Sequence, residues 1–359
     1  MINHGFILIL GALALIAIHV FRPRHVNREH TFVILGGAAI GFLIVVLVTS
    51  LVIWSFDLVR GTELDSDIAR FEIDPSDRRL EVLIVGSSHS AESIDDKRLE
   101  TALAKAGFPY AVRALTAGGF FAFDQDVMLD EYLSKTDRIP IAVMIEVGTE
   151  YKIAIDPNKQ NKAAGVRFID MKRAGLGIVH LLNADWPLAT KIESIWSIIR
   201  HVIFKTVHTG FASQAVAWGE ALPEKGFHEI VRPHPRFTRE FADRISAGDV
   251  IAQSKIAKIP NETLKWREDQ KSNLPRKGVR HSIYFTPPIL NIRRRAFQKA
   301  ICDRAPVLDC IDSTSADLMK ELSFEHWYDD GHVLLSGAHI YTDWLAERLI
   351  KQLGSAPRQ

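Results

Sequence analysis

The sequence has few cysteines, almost no net charge and none of the common nucleotide-binding motifs. Only two of its 359 residues are cysteine, and 44 basic side chains nearly balance 43 acidic ones, for a net charge of +1. A nucleic-acid-binding surface needs a clustered positive excess, so the charge balance argues against that class. No glycine-rich phosphate loop or dinucleotide fingerprint occurs. Metal-ligand spacing is also missing among the scattered histidines, so we expect neither a metal nor a cofactor: His208, His228, His234 and His281.

The two cysteines, Cys302 and Cys310, leave two alternatives open. A low count fits a bacterial envelope protein without dense disulfide stapling, in which the two could pair outside the cytoplasm. Sequence spacing does not establish disulfide geometry, and two buried free thiols fit the sequence at least as well.

Apolar residues are concentrated at the amino end in two long runs. Gly5–Phe21 is interrupted only by His19, and Thr31–Phe56 carries no charge. A membrane span needs about 20 apolar residues, so we predict a transmembrane hairpin within residues 1–56. The positive-inside rule places the basic loop Arg22–His30 in the cytoplasm, and everything after residue 56 then faces outward.

A cleaved signal peptide in the first run is the main alternative. The first four residues lack the basic side chains of a signal peptide, and Arg22-Pro23-Arg24 is a poor cleavage context. We therefore expect a multi-pass protein of the bacterial cytoplasmic membrane whose main domain lies on the periplasmic side.

After the hairpin, a charge-rich stalk at 57–80 leads to a domain at 81–352 and a short tail at 353–359. Apolar runs predict five strands: Val82–Val85, Tyr110–Leu115, Ile141–Val147 (taken as fully apolar), Ser282–Thr286 and Val307–Ile311. Helical periodicity predicts the segments between and after them: Asp95–Ala106, Phe123–Leu133, Ile292–Cys302, one helix from about Ser315, and Gly337–Gln352. Strands that alternate with helices indicate an α/β fold with a parallel sheet covered on both faces.

A helical insertion at about residues 152–280 interrupts this alternation. Its clearest helix has an apolar stripe formed by Ile192, Ile195, Trp196, Ile199, Val202 and Ile203. The opposite face carries Lys191, Ser194, Ser197 and His201. We expect the stripe to pack in the core, with a membrane surface or a membrane partner as the alternative.

A serine at the tip of the first predicted strand is the candidate nucleophile. The strand ends at Gly86-Ser87-Ser88, and chemistry in α/β folds collects at the carboxyl ends of strands. The alternative is a purely structural role, in which Ser88 only caps the next helix. An α/β-hydrolase nucleophile elbow does not fit, because Ser90 stands where that motif needs glycine.

Near the carboxyl end, an aspartate precedes a histidine by three residues, in Asp329-Asp330-Gly331-His332. A carboxylate in this position can accept from one imidazole nitrogen and leave the other free to take a serine proton. That is the orienting role of the aspartate in a Ser-His-Asp triad. The structural alternatives are that His332 is a histidine of a surface loop and that Asp329 or Asp330 caps a helix.

Four segments, in this order, resemble the SGNH (GDSL-type) hydrolase superfamily. Gly86-Ser87-Ser88 is similar to its Gly-Asp-Ser block, Gly118-Gly119 to its oxyanion-hole glycine, Gly148-Thr149-Glu150 to its Gly-x-Asn block, and Asp329-x-x-His332 to its last block. The likeness is to the membrane-anchored envelope branch, which resembles the D-alanyl transfer protein of teichoic acid modification and the alginate O-acetylation proteins. It covers about Val82–Tyr151 and Ser282–Leu349, and its spacing favours Asp329 over Asp330.

The resemblance implies a three-layer SGNH/flavodoxin-like sheet, with Ser88, Asp329 and His332 as catalytic residues. It implies an oxyanion hole formed by the backbone N–H groups of Ser88 and Gly119 with help from Thr149. The chain departs from the family at two positions, since Ser87 replaces an aspartate and Thr149 replaces an asparagine. Losing one oxyanion donor typically costs about 10²–10³ in rate.

The implied function is a membrane-anchored serine acyltransferase or esterase that acts on acyl esters of cell-envelope glycans through an acyl-serine intermediate. Its partners would be the glycan or acyl-ester substrate and, for transfer, a membrane-bound O-acyltransferase. The alternative, motivated by Thr149 and the insertion, is a catalytically inactive scaffold or binding subunit of an envelope polysaccharide-modification complex. A lipase or esterase of lipid substrates is a third reading.

Overall fold

The computed structural model describes residues 77–117, 122–136, 138–148, 171–183, 187–207, 227–247 and 261–354, with Gly37, Gly41 and Ile259. The predicted span at 5–21 lies outside these residues, as does the span at 31–56 except for the two glycines. Across the described ranges, no helix is both long and apolar enough to cross a membrane.

The chain divides into two compact units. Glu63–Ile153 and Pro223–Gln359 form the unit that contains the sheet, whereas Met1–Thr62 and Ala154–Leu222 form the other. The predicted insertion is therefore shared between the two units.

In the sheet unit, the strands are β1 (Glu81–Ser87), β2 (Ala111–Ala117), β3 (Ala142–Glu146) and β4 (His281–Phe285). Its helices before β4 are α1 (Ser88–Ser93), α2 (Asp96–Lys105), α3 (Ala122–Lys135), α6 (Arg239–Ala247) and α7 (Asn261–Asn273). After β4 come α8 (Ile292–Arg304), α9 (Ala316–Glu321) and α10 (Leu335–Gly354). The other unit contributes α4 (Met171–Asn183) and α5 (Leu188–Val207).

The four strands form one parallel sheet in the order β2-β1-β3-β4. Ile84 of β1 lies between Ala114 of β2 and Met144 of β3, and Met144 in turn pairs with Ile283 of β4. The chain moves from β1 to one side of the sheet and then returns to the other side, so the order reverses between β1 and β3. Ligands in open α/β sheets bind at the carboxyl edge at such a switch point.

Side chains on the two faces of the sheet meet different helices because they alternate along each strand. Val82 and Ile84 belong to the core cluster that includes Leu99 of α2 and Tyr341 of α10. On the opposite face, the Tyr284 hydroxyl donates to Gln270 Oε1 of α7 at 2.7 Å. The predicted α/β class with a parallel sheet covered by helices is therefore confirmed.

The fifth predicted strand, Val307–Ile311, is wrong. Pro306–Leu308 is a turn of 3₁₀-helix, and Asp309 adopts a left-handed conformation with φ of 53°. Proline lacks a backbone N–H and cannot join a ladder, so only Ile311 pairs with the edge of β4. Ile311 donates to the Tyr284 carbonyl at 2.8 Å and accepts from Thr286 at 3.1 Å.

The two cysteines form a disulfide that ties the last turns of α8 to the segment before Ile311. Cys302 and Cys310 lie with their Cα atoms 5.7 Å apart and their sulfurs bonded. The structure therefore pairs the two cysteines and does not leave them as free thiols.

Helices α4 and α5 pack as a hairpin that matches the predicted arrangement only in part. The cluster between them consists of Ala174, Leu181 and Ile198. Ser194 and Ser197, predicted on the outer face, are 0% and 1% exposed. Large members of the predicted core stripe face solvent instead: Ile192 (58% exposed), Trp196 (50%) and Ile199 (37%).

A small residue of α4 allows one close contact in this hairpin. A Cβ atom added at Gly177 would lie 3.1 Å from Cδ1 of Ile198. The expectation that the stripe packs in the core is wrong for its exposed members, while Ile195 and Val202 do pack partly against the cluster.

Candidate active site

Ser88 is the first residue of α1 and follows β1 directly at the carboxyl edge of the sheet. The preceding residue, Ser87, caps this short helix by accepting a hydrogen bond from the His89 N–H at 3.2 Å. The cap therefore belongs to Ser87, which leaves the Ser88 hydroxyl available for another partner. The helix-cap alternative for Ser88 does not describe this geometry.

Close packing of α1 on the sheet depends on Gly86. A Cβ atom at this position would lie 2.3 Å from Ser90 Oγ and 2.7 Å from Glu146 Oε2. Distances below 3 Å are overlaps, so only glycine lets the helix turn sit this low over the end of β3. The turn holds Ser88 beside the switch point between β1 and β3.

Glu146, at the end of β3, holds the segment Ser87–Ser90 in place by accepting hydrogen bonds from it. Its carboxylate accepts from the Ser87 N–H at 2.6 Å, from the Ser87 hydroxyl at 2.7 Å and from the Ser90 hydroxyl at 2.6 Å. The side chain is 1% exposed, and burial raises the pKa of Glu146, while the hydrogen bonds from Ser87 and Ser90 oppose that rise. The third predicted strand, Ile141–Val147, is therefore not fully apolar.

The loop that carries His332 is held by backbone contacts within the loop and by the buried side chain of Trp327. Trp327 forms an antiparallel bridge with Val333, and its indole N–H donates to the Leu322 carbonyl at 3.0 Å. The Tyr328 N–H donates to the His332 carbonyl at 2.9 Å. These contacts fix the backbone of the loop that presents the imidazole.

Asp329 orients this imidazole from within the loop. Its Oδ1 accepts from the backbone N–H groups of Gly331 and His332, each at 2.8 Å, and lies 2.9 Å from His332 Nδ1. A carboxylate only accepts, so Nδ1 carries the proton and Nε2 is left with its lone pair. Neighbouring Asp330 instead accepts from the Asn291 side-chain amide at 3.0 Å.

The structure brings together the serine, the histidine and the aspartate that the sequence predicts. His332 Nε2 lies 3.1 Å from Ser88 Oγ, 244 residues away in the chain. Burial lowers the pKa of His332, but the Asp329 hydrogen bond and the charges of Glu92 and Asp329 outweigh it, so the net pKa is raised. Burial raises the pKa of Asp329, and the bonds to His332 and Gly331 reverse that shift.

His89 stacks on the other side of the imidazole. Its ring lies parallel to that of His332, with centroids 4.6 Å apart and planes 6° apart. His89 Nδ1 lies 3.1 Å from Ser87 Oγ, whose proton is directed to Glu146. Burial, together with the nearby positive charges of His332 and Arg294, lowers the pKa of His89 to about 3, so the stacked ring stays neutral.

Two of these groups, Glu146 and Glu92, are not predicted from the sequence, although each has a signal in retrospect. Glu146 is a charged residue inside a buried strand, whereas His89 is visible from the sequence as the neighbour of the candidate nucleophile, with packing as its expected role. Glu92 comes four residues after Ser88, so both lie on one face of α1. Of the predicted oxyanion-hole residues only Ser88 is described, because Gly119 and Thr149 lie outside the described residues.

Within the described ranges, no three His, Cys, Asp or Glu side chains come close enough to hold a metal ion.

The groups assembled at the carboxyl edge of the sheet are a hydroxyl, a base with a free nitrogen and a carboxylate that orients the base. This set can move a proton from serine to imidazole as the serine oxygen attacks an electrophilic carbon.

Comparisons with known proteins identify no relative for this chain. A scan against protein-family models, a search of curated proteins and a search of solved structures each found no match. The functional reading of the site therefore depends on its own geometry and chemistry.

Proposed function

We propose that this chain is a membrane-anchored serine esterase or O-acyltransferase of the SGNH type, acting on acyl esters of cell-envelope glycans. The hydrogen-bonded series from Ser88 Oγ through His332 to Asp329, with distances of 3.1 and 2.9 Å, carries the proposal. Such a series is recognised by geometry and roles rather than by position in the chain.

The architecture supports the same assignment. The strand order β2-β1-β3-β4 with a further pairing at Ile311 matches the flavodoxin-like order 2-1-3-4-5. Helices contact both faces of the sheet, which fits a three-layer SGNH-like domain. The disulfide between Cys302 and Cys310 fits an oxidising compartment outside the cytoplasm, as the predicted membrane hairpin requires.

The reaction would be a double displacement. Ser88 Oγ attacks the ester carbonyl carbon while its proton passes to His332 Nε2. That proton then goes to the departing alkoxide oxygen as the ester C–O bond breaks, and the acyl group remains on Ser88. Water or a sugar hydroxyl attacks the acyl-serine next, gives its proton to Nε2, and releases Ser88 after the proton returns to Oγ.

Charge develops on the carbonyl oxygen in both steps. The proposed donors to this oxyanion are the backbone N–H groups of Ser88 and Gly119 with the Thr149 hydroxyl. Asp329 supports the positive charge that forms on His332, and the raised pKa of His332 makes that charge easier to form. Water and a sugar hydroxyl lead to hydrolysis and transfer respectively, and a membrane-bound O-acyltransferase would deliver the acyl group for transfer.

Labelling with a fluorophosphonate probe tests the proposal on the full chain in detergent. We expect labelling of the wild type, loss of labelling in Ser88→Ala, and unchanged labelling in Ser272→Ala. Ser272 is an exposed serine of α7 and serves as a matched control. Hydrolysis of a small acetyl ester should likewise disappear in His332→Ala. Absence of Ser88-dependent labelling would favour the inactive-scaffold alternative.

A further inference from the structure

The carboxylate of Glu92 lies beside the reacting nitrogen of His332 and has no role in a Ser-His-Asp triad. Its Oε2 is 3.8 Å from His332 Nε2, the same nitrogen that faces Ser88. Its Oε1 is 3.5 Å from Nδ1 of His228, whose side chain is 70% exposed. The Glu92 side chain itself is only 15% exposed.

The Glu92 oxygen that faces His332 has no other partner in the described part of the chain. This oxygen, Oε2, is buried, and among the described residues it has no hydrogen-bond partner. A buried carboxylate oxygen in that state is unfavourable, so its position calls for a physical reason. Protonated His332 would supply one, because its positively charged Nε2–H group would then lie near this oxygen as well as near Ser88 Oγ.

His332 is consequently flanked by carboxylates on both ring nitrogens. Asp329 contacts Nδ1 at 2.9 Å, and Glu92 approaches Nε2. The other groups around the ring are the neutral His89, stacked on its face, and Tyr328, whose ring lies 6.5 Å away edge-on. Arg294 opposes the two carboxylates by lowering the pKa of His332.

We propose that Glu92 is a positioning residue that stabilises protonated His332 from the Nε2 side and so sets the pH range in which Ser88 is activated. The inference rests on the proposed function of the triad. In the first displacement the Ser88 proton reaches Nε2, and Glu92 faces the resulting cation until the leaving oxygen takes that proton. In the second, Glu92 faces the same cation after water or a sugar hydroxyl has been deprotonated.

The sign of the effect follows from charge. A negative group near an imidazole favours its protonated form, and the charge of Glu92 does raise the pKa of His332. Only neutral His332 can accept the Ser88 proton. Replacing Glu92 by a neutral side chain should therefore extend activity towards lower pH while it lowers the maximal rate, because the cation is less stabilised. Burial raises the pKa of Glu92 itself, so its influence fades in acid.

The test is the pH dependence of fluorophosphonate labelling of the full chain in detergent. In Glu92→Gln, we expect the ratio of labelling rates at about pH 6 and about pH 8.5 to rise roughly fivefold above the wild-type ratio. The ratio for Glu92→Asp should lie between those of the wild type and Glu92→Gln, because this variant keeps a carboxylate. Glu229→Gln, a change of an exposed glutamate, should leave the ratio as in the wild type.

A Glu92→Gln profile with the wild-type shape would overturn the inference, even if the rate were lower at every pH, because a purely structural role predicts that result. If the wild type itself is not labelled, the proposed function fails. The effect of Glu92 on His332 is then still decided by an NMR titration of ¹⁵N-histidine-labelled protein. His332 should titrate at lower pH in Glu92→Gln, and an unchanged titration would refute the inference.

Discussion

The sheet unit and the α4–α5 hairpin differ in how much of their apolar surface they bury. In the sheet, Val82, Leu83, Ile84 and Val85 are all 0% exposed, because helices cover both faces of β1. In the hairpin, Leu181 and Ile198 are buried together with Ser194 and Ser197, while Trp196 is 50% exposed. An apolar pattern marks a face of a helix or strand that is suited to packing. That face is buried only where other elements of the same unit pack against it.

A change at Asp329 should have the largest effect, and it should fall on the rate of ester hydrolysis. Asp329→Asn removes the carboxylate that holds the proton on Nδ1 of His332. We expect ester hydrolysis to fall about 10³–10⁴-fold, since the wrong tautomer then faces Ser88. Asp330→Asn is the matched control, because that side chain contacts Asn291 instead, and its rate should stay within a few-fold of the wild type. Equal losses in both variants would contradict the assignment.

The next effect separates the two faces of α5. Ile198 is 2% exposed, and Ile198→Ala should destabilise the hairpin by about 2–4 kcal/mol because it leaves a cavity against α4. Trp196→Ala, on the exposed face, should change stability by less than about 0.5 kcal/mol despite removing a larger side chain. Hydrogen exchange of the α4 and α5 amides measures both values. A larger cost for Trp196→Ala would mean that its face is covered.

Two glycines give a smaller contrast between the regions. Gly86→Ala should cost about 1–3 kcal/mol, because the new Cβ would overlap Ser90 and Glu146. Gly175 is an exposed glycine within α4 with nothing within 4 Å of its Cβ position, so Gly175→Ala should stabilise the helix by about 0.5–1 kcal/mol. Urea unfolding measures the first change and local hydrogen exchange the second. Destabilisation by both substitutions would refute the contrast.

Local signals were enough to predict the four strands of the sheet and to single out Ser88, Asp329 and His332 as candidate site residues. Each of the first four predicted strands overlaps an observed one, since apolar runs bounded by turn residues are typical of buried parallel strands. Ser88 and the Asp329–His332 pair could be found because a strand tip and a three-residue spacing are visible in the sequence. Their meeting across 244 residues depends on the order of the strands.

Other features depend on neighbours that are distant in sequence. Val307–Ile311 is apolar enough for a strand, but Pro306 and the left-handed Asp309 restrict its pairing to Ile311. Glu146 looks misplaced in a buried strand until Ser87 and Ser90 are seen to donate to it. The burial of Ser194 could not be predicted, because helical periodicity does not say which helix packs on which face.

The proposed mechanism requires an acyl-serine intermediate at Ser88, and this intermediate can be trapped. Full-length protein would be mixed with an activated acetyl ester, quenched in acid and digested for peptide mass spectrometry. We expect one acetyl group on the peptide that contains Ser88, with His332→Ala forming it far more slowly. Acetylation spread over surface lysines and serines, with none at Ser88 in the wild type, would contradict it.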